Sequence, residues 1–143
     1  HPQAIPFVRY VKKMGFEVKI DTNGSRPEVI GQLIEENLLD YVALDFKAMP
    51  ENYWKITRSD LFASFEKSLE ILIPSKVRFE VRTTVHSDQL TARDLQAMEI
   101  WLRGKSYTGT YYLQHFRGDK QTLGGLGESK KQSLITESGV WRN

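Results

Sequence analysis

The chain has 143 residues, 40% of them hydrophobic and 27% charged, which suits one globular domain and leaves little room for a second. A formal net charge of +2 gives no electrostatic reason to expect nucleic acid or an anionic membrane as a partner. No run approaches the ~20 apolar residues of a membrane span, and no signal-peptide pattern opens the chain. Cysteine is absent, so the chain offers no disulfide and no thiolate metal site, and a cytoplasmic location is the default expectation.

Taken in chain order, Ile5, Val8 and Val11, with Phe7 and Met14, recur at helical spacing and stop at Gly15. Phe16–Thr22 reads as a strand that ends in an Asn23-Gly24 turn. Ser25 and Glu28 have capping-box spacing, and Pro27 suits the first turn of the helix that carries Val29, Ile30, Leu33 and Ile34. Tyr41–Lys47 is the second strand, and Met49, Pro50, Tyr53 and Trp54 read as a loop, with Tyr53 and Trp54 either a lid or packed onto a helix. Ser59 suits the cap of a helix whose buried stripe is Leu61, Phe62, Phe65, Leu69 and Leu72. Val77–His86 is the third strand. Thr91 and Asp94 open a helix that runs to Leu102 with Gly104 as its stop, and Thr110–Phe116 is the fourth strand. From Arg117 the composition turns to Gly, Lys, Ser and Gln, so 1–118 reads as the folded unit and 119–143 as a flexible tail. The Gly124-Gly125-Leu126-Gly127 run lacks nucleotide-fingerprint spacing and reads as loop.

Strands separated by helices predict an α/β fold with a parallel, four-stranded sheet of right-handed βαβ units. An open sheet and a segment of a β/α barrel both fit this order. The strands are not apolar throughout, as buried parallel strands usually are. Val18 and Ile20 alternate with Glu17, Lys19 and Asp21; Val42, Leu44 and Phe46 with Ala43, Asp45 and Lys47; Phe79, Val81 and Val85 with Glu80, Arg82, Thr84 and His86. Residues two apart share a face, so one face is apolar and the other ionisable. Such charges must pair, line a wet cavity or meet a ligand, because burying one unpaired costs several kcal/mol, roughly. A structural ion-pair network is the bland reading. A ligand site is the sharper one, since Asp21, Asp45, Lys47, Arg82 and His86 fall at C-terminal strand ends, where barrel sites lie. Asp45 and Lys47 could grip an amino acid, a ribose or a cation, or simply each other. Arg82 could hold a carboxylate. Gln114 and His115 face opposite ways on a regular strand, and a lone strand histidine is more often structural.

Asp21-Thr22-Asn23-Gly24, then Tyr41-Val42-Ala43-Leu44-Asp45-Phe46-Lys47, Glu80-Val81-Arg82-Thr83-Thr84-Val85 and Leu113-Gln114-His115-Phe116-Arg117 resemble, in order and spacing, the radical S-adenosylmethionine (SAM) family. The likeness is greatest to activating enzymes of anaerobic ribonucleoside-triphosphate reductase and pyruvate formate-lyase, and it runs over residues 1–118. The resemblance implies the C-terminal portion of a partial (β/α)6 TIM-like barrel. It implies SAM and a [4Fe–4S] cluster in a full-length parent, reductive cleavage of SAM, and a glycyl radical made on a partner reductase or lyase. The family's CxxxCxxC loop and Gly-Gly-Glu-Pro strand end have no counterpart here, so the chain is expected to be a fragment that binds no cluster and is inactive alone. Carried over by resemblance, Asp21, Thr22 and Asn23 line the SAM site. Asp45 and Lys47 contact its ribose or carboxylate region, and Arg82 its carboxylate. His115 lies near adenine, with Gln114 the more natural inward residue, and Asp21 and Asp45 could share a monovalent cation.

Two other classes compete. One is a complete small lyase or aldolase-like barrel enzyme that uses Asp45 and Lys47 directly. The other is a non-catalytic α/β binding module. An open sheet also leaves an uncovered edge and face, so self-association is expected.

Overall fold

The computed structural model describes residues 4–116, 126, 129 and 139–142. The elements follow in the order α1 (Ala4–Lys13), β1 (Lys19–Thr22), α2 (Pro27–Glu35), β2 (Tyr41–Asp45), α3 (Pro50–Thr57), α4 (Phe62–Leu72), β3 (Arg78–Val85), α5 (Ala92–Gly104), β4 (Tyr111–His115) and β5 (Val140–Arg142). The sheet has five strands, not four, in the order β1-β2-β3-β4-β5, and every neighbouring pair is parallel. The additional strand lies within the stretch read as tail, where Val140-Trp141-Arg142 supplies a short β-prone run after polar sequence. The glycine run at 124–127 lies outside the described residues except for Leu126.

Strand order that follows chain order, with crossovers of one hand, puts the connecting helices on one face of the sheet. That face is the core. Val42, Leu44, Val81 and Leu113 are fully buried against Ile30 and Leu33 of α2, Phe65, Leu69 and Leu72 of α4, and Leu95 and Met98 of α5. Phe46, just past β2, stacks on Phe65 at 4.7 Å and lies 5.3 Å from Trp101.

Three local expectations change. Pro27 takes the first helical position of α2, which makes Arg26 the cap and moves Ser25 out of the capping role. The backbone N–H of Ser25 instead donates to Asn23 Oδ1 at 3.0 Å, closing an Asx turn. Pro50 likewise starts a helix, so the expected loop is α3, with Tyr53 buried edge-on to Phe62. The cap of α4 is Leu61, because Ser59 is already engaged with the Thr57 hydroxyl at 2.9 Å. At α5 Thr91 and Asp94 open the helix as read, and they do so as a capping box, Thr91 accepting from the Asp94 N–H and Asp94 accepting from the Thr91 N–H.

Candidate functional site

The parallel registers stack side chains into rows across the face away from the core. Lys19, Tyr41 and Arg78 form one row, Asp21, Ala43 and Glu80 the next, and Asp45, Arg82 and Tyr112 the one beyond. Gln114 and Thr84 lie a further row toward the C-terminal ends. This is the ionisable face read from the alternation.

Arg82 organises its upper part. Its Nε donates to Asp45 Oδ1 at 2.5 Å, and a terminal nitrogen reaches across β2 to Asp21 Oδ2 at 2.9 Å. That reach passes over Ala43, where a larger side chain would block it. Lys47 follows Asp45 on the same face and donates to its other oxygen at 3.0 Å, while Lys19 lies 3.4 Å from Asp21. The result is a chain of alternating charge, Lys19–Asp21–Arg82–Asp45–Lys47, across three adjacent strands. Burial opposes the Asp21 charge, yet hydrogen bonding and attraction from Arg82 and Lys19 hold its carboxyl below the usual range. Burial also opposes the Arg82 charge, and the two carboxylates still raise its pKa above the ordinary guanidinium value. The guanidinium bridges Asp21 and Asp45, the pair read as able to share a monovalent cation. Asp45 and Arg82 are mostly covered, whereas the Lys47 side chain keeps 34% exposure and the Asp21 side chain 52%.

The other residues separate. Thr22 and Asn23 serve the turn: Thr22 Oγ1 accepts from the Gly24 N–H at 3.1 Å, and Asn23 from that of Ser25. Gln114 lies in a row of the charged face. His115 turns to the opposite face and stacks on Trp141 at 4.1 Å. His86 does not join the charged face. It is buried, edge-on to Phe116, with Nδ1 accepting from the Asp88 N–H at 3.1 Å. The strand ends at Val85, which breaks the alternation that had placed His86 beside Arg82.

A second group on the same face went unread. Glu80 is only 3% exposed and takes a two-point pair from Arg142 of β5, at 2.9 and 3.0 Å. Tyr41 also donates to it, at 2.8 Å, and the Arg142 guanidinium lies 3.8 Å from the Tyr112 ring centre. Burial and the Glu80 carboxylate push the Tyr41 hydroxyl up to about 12, so it stays a donor across the ordinary pH range. Glu80 was visible as a charge in the alternation; its partner lay in sequence whose composition hid a strand.

A cavity of about 290 Å³ opens near the start of β4, lined by Glu99, Arg103, Tyr107 and Tyr111 among others. It sits at the opposite strand ends from Arg82 and shares none of these residues. Among the described residues no three or more His, Asp and Glu side chains are grouped to hold a metal ion, and no helix is long and apolar enough to cross a membrane.

No protein-family profile matches the chain. Over 97 residues the chain is 35% identical to a protein of Methanocaldococcus jannaschii named "Putative glycyl-radical enzyme activating enzyme"; the match covers 64% of this chain and 40% of that protein. The chain therefore spans well under two thirds of the length of the curated relative it matches.

Proposed function

We propose that this chain is the SAM-orienting, C-terminal part of a radical SAM activating enzyme, whose longer parent makes a glycyl radical on a partner reductase or lyase. In this reading the sheet is the back half of a partial (β/α)6 barrel and its charged face is the barrel interior. The observation that carries the reading is the Asp21–Arg82–Asp45–Lys47 chain, in which Arg82, from within β3, gathers carboxylates at the C-terminal ends of β1 and β2, the ends where barrel sites are built. The 35% identity to a protein named as an activating enzyme supports it.

The donor set suits SAM, which offers a carboxylate, an ammonium, a sulfonium and ribose hydroxyls. Lys47, partly exposed, has donors left for an anionic group beyond the one given to Asp45. Asp21, half exposed, can accept from an ammonium or a hydroxyl. Arg82 already engages two carboxylates, so its first effect is to fix them at a set separation and limit their mutual repulsion. Gln114 adds a neutral donor and acceptor at the same end. SAM bound there would supply the adenosyl group for radical chemistry, and these residues would hold and orient it. An iron–sulfur cluster does not fit this chain's own residues, because all 143 include no cysteine. The chain by itself, reconstituted with iron and sulfide, is accordingly expected to release no 5′-deoxyadenosine.

SAM titrated into the 15N-labelled chain tests the ligand directly. Shifts should map to Asp21–Asn23, Asp45–Lys47, Arg82 and Gln114, and Lys47→Met should weaken binding at least tenfold. Absence of shifts at several millimolar SAM, or shifts confined to the cavity around Tyr107, would sink the reading.

A further inference from the structure

The strand β5 is too short to account for its own docking. It contributes three residues to the ladder, pairing with Tyr112, Leu113 and Gln114 of β4. Three-residue parallel pairing at a sheet edge is marginal without side-chain support. That support comes from both faces. On the core side Trp141 lies flat on His115, at 4.1 Å and 17°. On the charged side Arg142 runs over the Tyr112 ring and ends in the two-point pair with Glu80 of β3, one strand beyond its ladder neighbour.

Glu80 needs that partner. Its side chain is almost wholly buried, and among the described residues Arg142 is the cation in ion-pair contact with it. A buried carboxylate left unpaired is strongly disfavoured, so the pair acts in both directions: Arg142 satisfies Glu80, and Glu80 retains β5. Gln114 is the register partner of Arg142 itself and lies on the same charged face. Arg82 repeats the device two residues along β3, crossing β2 to Asp21 as Arg142 crosses β4 to Glu80.

We propose that β5 is a clasp and Arg142 a positioning residue: the Arg142–Glu80 pair, rather than the strand ladder, holds β5 to the sheet and thereby sets the Gln114 side of the charged face. The link from the clasp to a ligand rests on the SAM reading above; the clasp itself does not.

Residue-resolved hydrogen exchange on the full chain tests it. In Arg142→Met, amides of 111–115 and 140–142 should exchange at least tenfold faster while those of β1 and β2 keep their wild-type rates. Arg142→Lys, which keeps the charge but loses the two-point geometry, should fall between. Tyr112→Leu, which removes the ring beneath the guanidinium together with the hydroxyl that hydrogen-bonds it but leaves the Glu80 pair, should raise the same amides to a lesser degree. Wild-type rates in Arg142→Met would show that the ladder suffices and overturn the proposal. Faster exchange throughout the sheet in both Arg142→Met and Tyr112→Leu would overturn it too, by making the pair a general stabiliser. SAM, added as a probe, should bind Arg142→Met at least fivefold more weakly than wild type. If wild-type chain binds no SAM, the ligand reading fails and the exchange pattern still decides the clasp.

Discussion

Arg82 sits between two carboxylates on neighbouring strands, and its removal would leave both facing each other across β1 and β2. Arg82→Met is expected to lower stability at pH 7 by about 2 kcal/mol, the scale of hydrogen bonds to charged groups in a partly covered setting. The loss should depend on pH in a definite sense. The Asp21 carboxyl is held below the usual range in the folded chain. Its stabilising contribution is therefore complete above the unfolded carboxylate value of about 3.9 and disappears as pH falls through the lower folded value. Urea denaturation should show the gap between wild type and Arg82→Met widest near neutrality and narrowing below about pH 4. At this scale the sequence was informative wherever alternation held. Asp21, Asp45, Lys47 and Arg82 share one face because side chains two apart must. It failed at His86, where the strand stops one residue early, and at Glu80, whose partner is 62 positions away and crosses a strand to reach it. The opening over Ala43 that lets Arg82 reach Asp21 is likewise a property of the register, and no reading of a single strand contains it.

The connections between elements are governed by a few backbone positions. Gly24 has a φ of 72°, and a Cβ there would lie 3.0 Å from Leu44 Cδ1, 3.1 Å from the Phe65 Cα and 3.2 Å from Ser68 Cβ. Its carbonyl accepts from the buried Ser68 hydroxyl at 2.7 Å, tying the turn after β1 to α4. Gly24→Ala combines left-handed strain with overpacking and is expected to cost about 2–4 kcal/mol. Gly15 has a similar φ of 83°, but a Cβ added there would meet nothing within 4 Å, so Gly15→Ala should cost only the backbone part, about 1–2 kcal/mol. Thermal or urea melts of the two variants separate strain from crowding. The same scale explains the misread elements. Pro50 followed by Glu51 carries the start signal of a helix, but the aromatic and polar mixture after it has too few turns to show a period. Ser25 and Ser59 have the right chemistry for caps; prolines and local hydroxyl bonds decided the outcome instead. α5, whose capping box and apolar period agree, was legible at its start.

For the whole molecule, the two sides of the sheet have different fates. The core side is filled by helices. β1 has β2 as its neighbour and no other strand among the described residues. On and just after α1, Phe7, Tyr10, Met14 and Phe16 are each more than half exposed, an apolar stripe away from the buried Val8. A surface of this kind favours association. Light scattering of the chain at tens of micromolar should show a dimer or larger species, and Phe7→Glu with Tyr10→Glu should give a monomer with unchanged circular dichroism. The sequential strand order has a different consequence, in time rather than space. Each strand from β2 to β5 pairs with the one synthesised just before it, so pairing can follow the chain with modest loop-closure cost up to β4. The link from His115 to Val140 is the last to close. During synthesis these strands can therefore pair one by one as they emerge, and Glu80 waits 62 residues for its arginine.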